Sequence, residues 1–429
     1  MDKVDVIIVG GGLAGLSCAY ELADSGMTVI VLERGDFSGS KNVTGGRIYV
    51  GPIREYLPNL WTEAPLERHV TKEFITLLGE TNSTTLELYS DRFNRQPYPS
   101  YTILRAKFDR WLADLVSEKG VFVIPQKNVN DLIKDGEKII GVRTEDEEIG
   151  SDCVVASDGI LSFLAEKAGL RKPFQPQHFA LGFKEVIALD SKTIEDRFRL
   201  GENEGAAQLF AGSLTRGVMG GGFLYTNQNS LSLGMVVGIK SLNQREPRKE
   251  IYKFLDEFKE RPEIRNLIKG GETVEYSAHL ISEGGLHIKP KIYGDGILIT
   301  GDAAGLGLNI LVTVRGMEYA MVSGVLAGRA IKRAKERNDF SASSLAYYDQ
   351  LLNESFIIGE MTTFKNSLRV LENERLFSKY PQAISNLFEK VMWVEAKPKE
   401  GLYKTLCEGL KKDFINFQSF KDWLQFRKI

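Results

Sequence analysis

Apolar residues run over 4–9, interrupted only at Asp5, and over 29–32, the pattern of strands buried on both faces. Between them, 10–15 reads as a glycine turn and 16–25 as a helix closed by Gly26. A glycine-rich loop, GSKNVTGGRIYVGP, follows, and 55–95 carries no sharp periodicity. The spacing of Phe108, Trp111, Leu112 and Leu115 predicts a helix over 104–119. Strands are predicted at 121–125, 139–143 and 151–156, then at 180–189, 222–225 and 230–239, with a charged helix at 248–259. The buried-strand pattern returns at 296–300, ahead of GDAAG and a small-residue helix at 316–335. The remaining residues read as helical, with aromatics among lysines, and no internal repeat is present.

Composition narrows the class. The 429 residues are 43% hydrophobic and 26% charged, as in a soluble globular protein of two or three domains. A net charge of −2 supplies no basic field, so nucleic acid is not an expected partner. Cys18, Cys153 and Cys407 are far apart with no CxxC pair, which argues for a reducing cytoplasm and against a metal or iron–sulfur site within the chain. The apolar start carries Asp2 and Asp5 and does not read as a signal peptide. The apolar stretch 296–314 holds Asp302, which would sit in mid-bilayer at about 3 kcal/mol, so membrane contact is expected to be peripheral only.

The strand–turn–helix–strand order gives the glycines their meaning. Gly10, Gly12 and Gly15 stand in GxGxxG spacing: one for the tight turn, one for close approach of a pyrophosphate, one for helix–strand packing. Glu33, eighteen residues beyond Gly15, closes the second strand where an acid accepts from a ribose hydroxyl. The second half chooses the cofactor. Gly301 and Asp302, at the end of a strand, place a carboxylate for an extended polyol such as the ribityl chain, which points to FAD. Asp158 and Gly159 close another strand and read either as a third contact or as a simple turn. Arg105 reads either as a phosphate partner or as a solvent-facing arginine.

Taken together, ERGDFSGSKNVTGGRIY, GFKEV, GGGFLYTN, VEYSAHLISEGG and GDAAG resemble the FixC family, which is similar to electron-transfer-flavoprotein:quinone oxidoreductases. The resemblance implies an α/β fold: a Rossmann-type FAD-binding domain (1–55, 96–170, 281–335), an inserted antiparallel β-sheet substrate domain (56–95, 171–280) and a helical C-terminal part (336–429). It matches Gly10, Gly12, Leu13, Ala14, Gly15, Glu33 and Arg34 to the adenosine diphosphate site, and Val129 to a backbone contact with adenine. Lys41, Gly45 and Gly46 match the loop beside the flavin; Gly301, Asp302 and Asn309 match ribityl and pyrimidine contacts. Lys184, Glu185, Gly221, Gly222 and Tyr225 match the quinone side. The only cysteine after residue 335 is Cys407, so the four-cysteine domain of the fused oxidoreductases is missing, and a separate ferredoxin-like iron–sulfur subunit is implied.

The expected activity is FAD-dependent transfer of electrons from an electron-transfer flavoprotein, with alpha and beta subunits, to a membrane quinone. The complex is expected to be bifurcating and peripheral on the cytoplasmic face. A geranylgeranyl-reductase-like activity on a prenyl lipid is the alternative. No nucleophile–base set or metal cluster is present, and there is no second GxGxxG for a nicotinamide nucleotide. His279, Glu185 and Tyr225 are the candidate catalytic side chains. The Phe414, Phe417, Phe420, Trp423, Phe426 series reads either as a helix on its own core or as a docking face, and 219–224 as a second lipid-contact candidate.

Overall fold

The computed structural model describes residues 2–41, 46–173, 175–245 and 250–429. Asp2–Val9 and Val29–Leu32 are the parallel strands that their apolar runs require, joined by the Leu13–Leu22 helix. Glu148–Ala156 lies parallel on the other side of the first strand, followed by Ile297–Ile299; Phe122–Ile124 extends the opposite edge. Gly15 lets helix and strand approach: a Cβ there would overlap the Gly10 carbonyl and come within 3.0 Å of Ile8 Cγ2. The Met317–Glu336 helix packs on Leu13–Leu22 through Gly324, whose Cβ would stand 3.0 Å from the Cys18 nitrogen. One continuous core of Val, Ile, Leu and Ala from these elements fills the first layer.

A second, nine-stranded sheet stands over the first. From the edge strand Glu272–Ser282 inward come Phe179–Ala188, Ser230–Gly238, Gly220–Thr226 and Glu204–Gly212, all antiparallel neighbours. His69–Leu78 then pairs parallel to Glu204–Gly212, a departure from a purely antiparallel sheet, and Ser83–Tyr89 folds back on it. The short strands Arg47–Tyr49 and Ser100–Thr102 join this sheet too. Strand alternation gives each face a separate task. Phe183, Ile187, Leu224, Leu233 and Met235 form a core with Phe254 and Phe258 of the Ile251–Glu260 helix, whereas Ile75, Leu77, Leu209, Phe223, Tyr225 and Ile281 face a cavity. Residues 248 and 249 of the predicted charged helix lie outside the described residues.

Arg68 locks the far end of this sheet. It is 1% exposed, and its guanidinium donates to Asn227 O (2.7 Å), Ser191 Oγ (2.7 Å), Glu204 O (3.0 Å) and Glu195 Oε1 (2.9 Å). The C-terminal helices begin at Ala342, and Lys379–Met392 lies along the sheet edge, where Ser385 Oγ donates to Leu77 O (3.1 Å). No described helix is long and apolar enough to cross a membrane.

Candidate functional site

A cavity of about 590 Å³ runs between the two sheets, a size within the usual range for small-molecule sites. Its first end is the glycine turn. Gly10 has φ +108°, and a Cβ there would sit 2.8 Å from the Ser157 carbonyl carbon, so this turn and the 157–159 turn are in contact. The Leu13–Leu22 helix starts at Gly12 with no side-chain cap, leaving N–H groups for an anion. Glu33 is buried, its Oε2 accepting from Gly11 N–H (2.8 Å) and Oε1 from Gly35 N–H (2.6 Å). Each oxygen keeps a lone pair for a hydroxyl donor. Arg34 and Val129 line the same end.

Three motifs far apart in sequence close around the middle of the cavity. Gly301 has φ +62°, and its Cβ would meet the Ala14 Cβ at 2.8 Å; its N–H donates to Ser323 Oγ (3.0 Å). Ser157 Oγ and Thr300 Oγ1 are hydrogen-bonded at 2.7 Å. Asp158 accepts from Leu164 N–H (3.2 Å) through Oδ2, leaves Oδ1 buried without a partner, and has its pKa raised by burial. Asp302 faces the cavity with its pKa also raised by burial, partly offset by Arg105. Arg105 lines the wall as well, its guanidinium held in place by Asp109 through two 2.7 Å bonds. Lys41 and Gly46 line the loop side, and a Cβ on Gly46 would overlap the Tyr225 ring; Gly45 lies outside the described residues.

The second sheet supplies the opposite wall. Gly221, Gly222 and Tyr225 line it, and burial pushes the Tyr225 hydroxyl well above the usual range. His279 lines it too, its pKa lowered by burial and then by Arg34 and Arg105, which keeps the imidazole neutral. Glu185 is corrected: it shares the helix-facing side with Phe183 and Ile187, and its Oε2 accepts from Lys259 Nζ (2.8 Å) and Thr273 Oγ1 (2.7 Å). It is a structural ion pair away from the cavity. Lys184 is buried beside Glu275 (3.8 Å) and is also absent from the lining. Residues 219–224 face the cavity and the core instead of an outer surface: Met219 is 7% exposed and lines the cavity, and Leu224 is fully buried.

Two features of the wall have no counterpart in the motif reading. Asn309, expected at the pyrimidine, donates from Nδ2 to Glu283 Oε1 (3.2 Å) and accepts from Leu311 N–H (3.0 Å). Glu283 is buried, lines the cavity, leaves Oε2 unpartnered, and is pushed up to about 7 by burial. Nearby, Arg315 pairs with both Glu318 and Glu360, and the Tyr319 hydroxyl donates to Glu360 (2.6 Å).

The fit to a dinucleotide rests on space and on unused polar atoms. A Cβ on Gly12 would meet no protein atom within 4 Å, so that backbone is open to the cavity, with an unused Asp158 oxygen farther along it. A two-sheet body with this cradle and an uncapped helix N-terminus defines an FAD-dependent oxidoreductase. The family model for FAD-dependent oxidoreductases matches residues 5–95, and the model for the ubiquinone-binding part of ETF-QO matches 179–281. The chain belongs to the FixC family of electron transfer flavoprotein-quinone oxidoreductase-like proteins. It is 41% identical over 411 residues to the probable electron transfer flavoprotein-quinone oxidoreductase YdiS of Escherichia coli K12, covering 96% of this chain and 95% of YdiS. It is 40% identical to Protein FixC of the same strain, covering 97% and 96%. Among solved structures, a geranylgeranyl bacteriochlorophyll reductase-like protein of Thermoplasma acidophilum shares the fold at TM-score 0.72 and 21% identity, covering 98% and 99%.

Proposed function

We propose that this protein passes electrons from an electron-transfer flavoprotein, through FAD, to a membrane quinone, as part of a FixABCX-type bifurcating complex with a ferredoxin-like subunit. The observation that carries the reading is the second wall of the cavity: the segment matching a ubiquinone-binding model, 179–281, supplies Met219, Phe223, Tyr225 and Ile281 to the same space as the dinucleotide turn. FAD, when bound, supplies two-electron chemistry. The protein's own task is then to grip the cofactor and exclude water. Gly10, Gly12, Leu13, Ala14, Gly15 and Glu33 would hold the adenosine diphosphate, Arg34 and Val129 the adenosine end, and Asp158, Asp302 and Arg105 the middle. Tyr225 and His279 present neutral side chains to the apolar wall.

The C-terminal region supports membrane contact. Most of the large apolar side chains exposed among the described residues fall between 388 and 424. Residues 379–429 carry ten Lys and Arg against six Asp and Glu, a balance that favours an anionic lipid surface. Phe417, Phe420 and Trp423 are 74%, 55% and 53% exposed and form the outward part of the series, while Phe414 stacks on Tyr380. The test is reduction of a water-soluble quinone analogue by the FAD-loaded complex. Turnover with electron-transfer flavoprotein as donor supports the reading; loaded FAD with no turnover from any donor overturns it.

A further inference from the structure

The cavity holds several ionisable side chains, and most are already committed. Glu318 faces the Arg315 guanidinium, which Glu360 also holds. Asp158 and Asp302 belong to the nucleotide half. His279 is neutral between burial and two arginines, and the Tyr225 proton is held too tightly to leave near neutral pH. Glu283 differs from all of them. It follows the Glu272–Ser282 strand, two residues past the segment that matches the ubiquinone-binding model, and its main-chain N–H is fixed by the His178 carbonyl at 2.8 Å. The hairpin opposite presents Asn309, whose amide donates to Oε1, and Arg315, which is turned to Glu318 and Glu360. The two carboxyl oxygens are therefore unequal: Oε1 is an acceptor by construction, and Oε2 is buried without a partner.

We infer that Glu283 is the proton donor of the cavity, carrying on Oε2 a proton that it delivers to the carbonyl oxygen of a bound quinone. The inference rests on the quinone reading above. Reduction of one quinone takes two electrons, from the reduced flavin, and two protons. As a substrate oxygen gains its O–H bond, the Oε2–H bond breaks and leaves the carboxylate. Asn309 stabilises that carboxylate through Oε1, and solvent at the cavity mouth supplies the second proton and restores the first. A neutral carboxyl also costs less to bury than a charged one, which fits a site with no cation on its free oxygen.

The experiment is an infrared pH titration of the FAD-loaded protein beside steady-state reduction of a quinone analogue, in wild type, Glu283→Gln and Asn309→Ala. A protonated-carboxyl band that fades near pH 7 in wild type, is missing in Glu283→Gln and fades at higher pH in Asn309→Ala supports the assignment. Quinone reduction should fall at least about 100-fold in Glu283→Gln with bound FAD retained, the effect of losing a general acid. No titrating band in wild type, or full turnover in Glu283→Gln, overturns it. Should wild type fail to reduce any quinone, the functional reading fails, while the band still reports whether Glu283 holds the proton.

Discussion

Two glycines of one turn should fail in opposite ways when each is changed to alanine. Gly12 has φ −89° and ψ −175°, ordinary extended backbone, and an added Cβ would touch no protein atom within 4 Å. The apoprotein should then lose no more than about 1 kcal/mol, the difference between glycine and alanine at a helix N-cap. The same Cβ projects into the space assigned to the pyrophosphate. Overpacking there costs about 1–3 kcal/mol, or roughly 5–150-fold in FAD affinity. At Gly15 the Cβ would overlap the Gly10 carbonyl and press on the fully buried Ile8 Cγ2 at 3.0 Å, in the seam between helix and strand. Neither neighbour is a flexible side-chain end, so Gly15→Ala should destabilise the apoprotein itself by about 1–3 kcal/mol or more. Denaturant unfolding of both apoproteins and FAD titration by flavin fluorescence measure the two effects. If Gly12→Ala binds FAD as tightly as wild type, the cofactor does not pass over this turn and the assignment of the cradle is wrong.

Three further outcomes follow from the same geometry. Arg68→Ala removes all five hydrogen bonds of a buried guanidinium and leaves Glu195 without its cation, so unfolding should show a loss of about 3–5 kcal/mol with the spectrum of any bound flavin little changed. Glu283 has its folded pKa raised from 4.5 to about 7, so its contribution is intact below pH 4.5 and is lost as pH rises to 7. Relative to Glu283→Gln, wild-type apoprotein should therefore lose on the order of 3 kcal/mol across that window; parallel unfolding curves would show the group does not titrate there. Replacing Phe417, Phe420 and Trp423 together by serine should abolish co-sedimentation with anionic vesicles and spare reduction of a soluble quinone analogue; retained binding would exclude this face.

The parts of the fold that are contiguous in sequence were the legible ones. Strand, glycine turn, helix and strand occupy residues 2–32, and each local preference agrees with its place in the sheet. The strands His69–Leu78 and Glu204–Gly212 escaped because both are largely covered on two faces, one by the cavity wall and one by core, so no alternation survives in their sequences. Ser83–Tyr89 is mostly exposed and polar, with little to mark it as a strand. Asp158 and Asp302, held by short turns at strand ends, line the cavity. Glu185 and His279 depended instead on which face of a strand meets which neighbour. That is decided by the register Gly182↔His279 and Glu185↔Tyr276 across some ninety residues, which no local pattern carries. Glu283 stayed invisible because a carboxylate in a glycine turn looks solvated until the sheet closes over it.

The interleaving of the two sheets also governs when this chain can become a protein at all. Glu148–Ala156 has to wait for Ile297–Ile299 as its outer neighbour, and Leu13–Leu22 for the glycines of Met317–Glu336. At ribosomal speeds of about 5–20 residues per second, the outer edge of Glu148–Ala156 is exposed for about 7–30 s before that partner has been made. Its run of apolar residues, unshielded and strand-forming, is the kind of segment that associates with copies of itself. Yield of this flavoprotein in a host cell should therefore respond to chaperone supply and slowed growth more than to mutations that strengthen the finished fold.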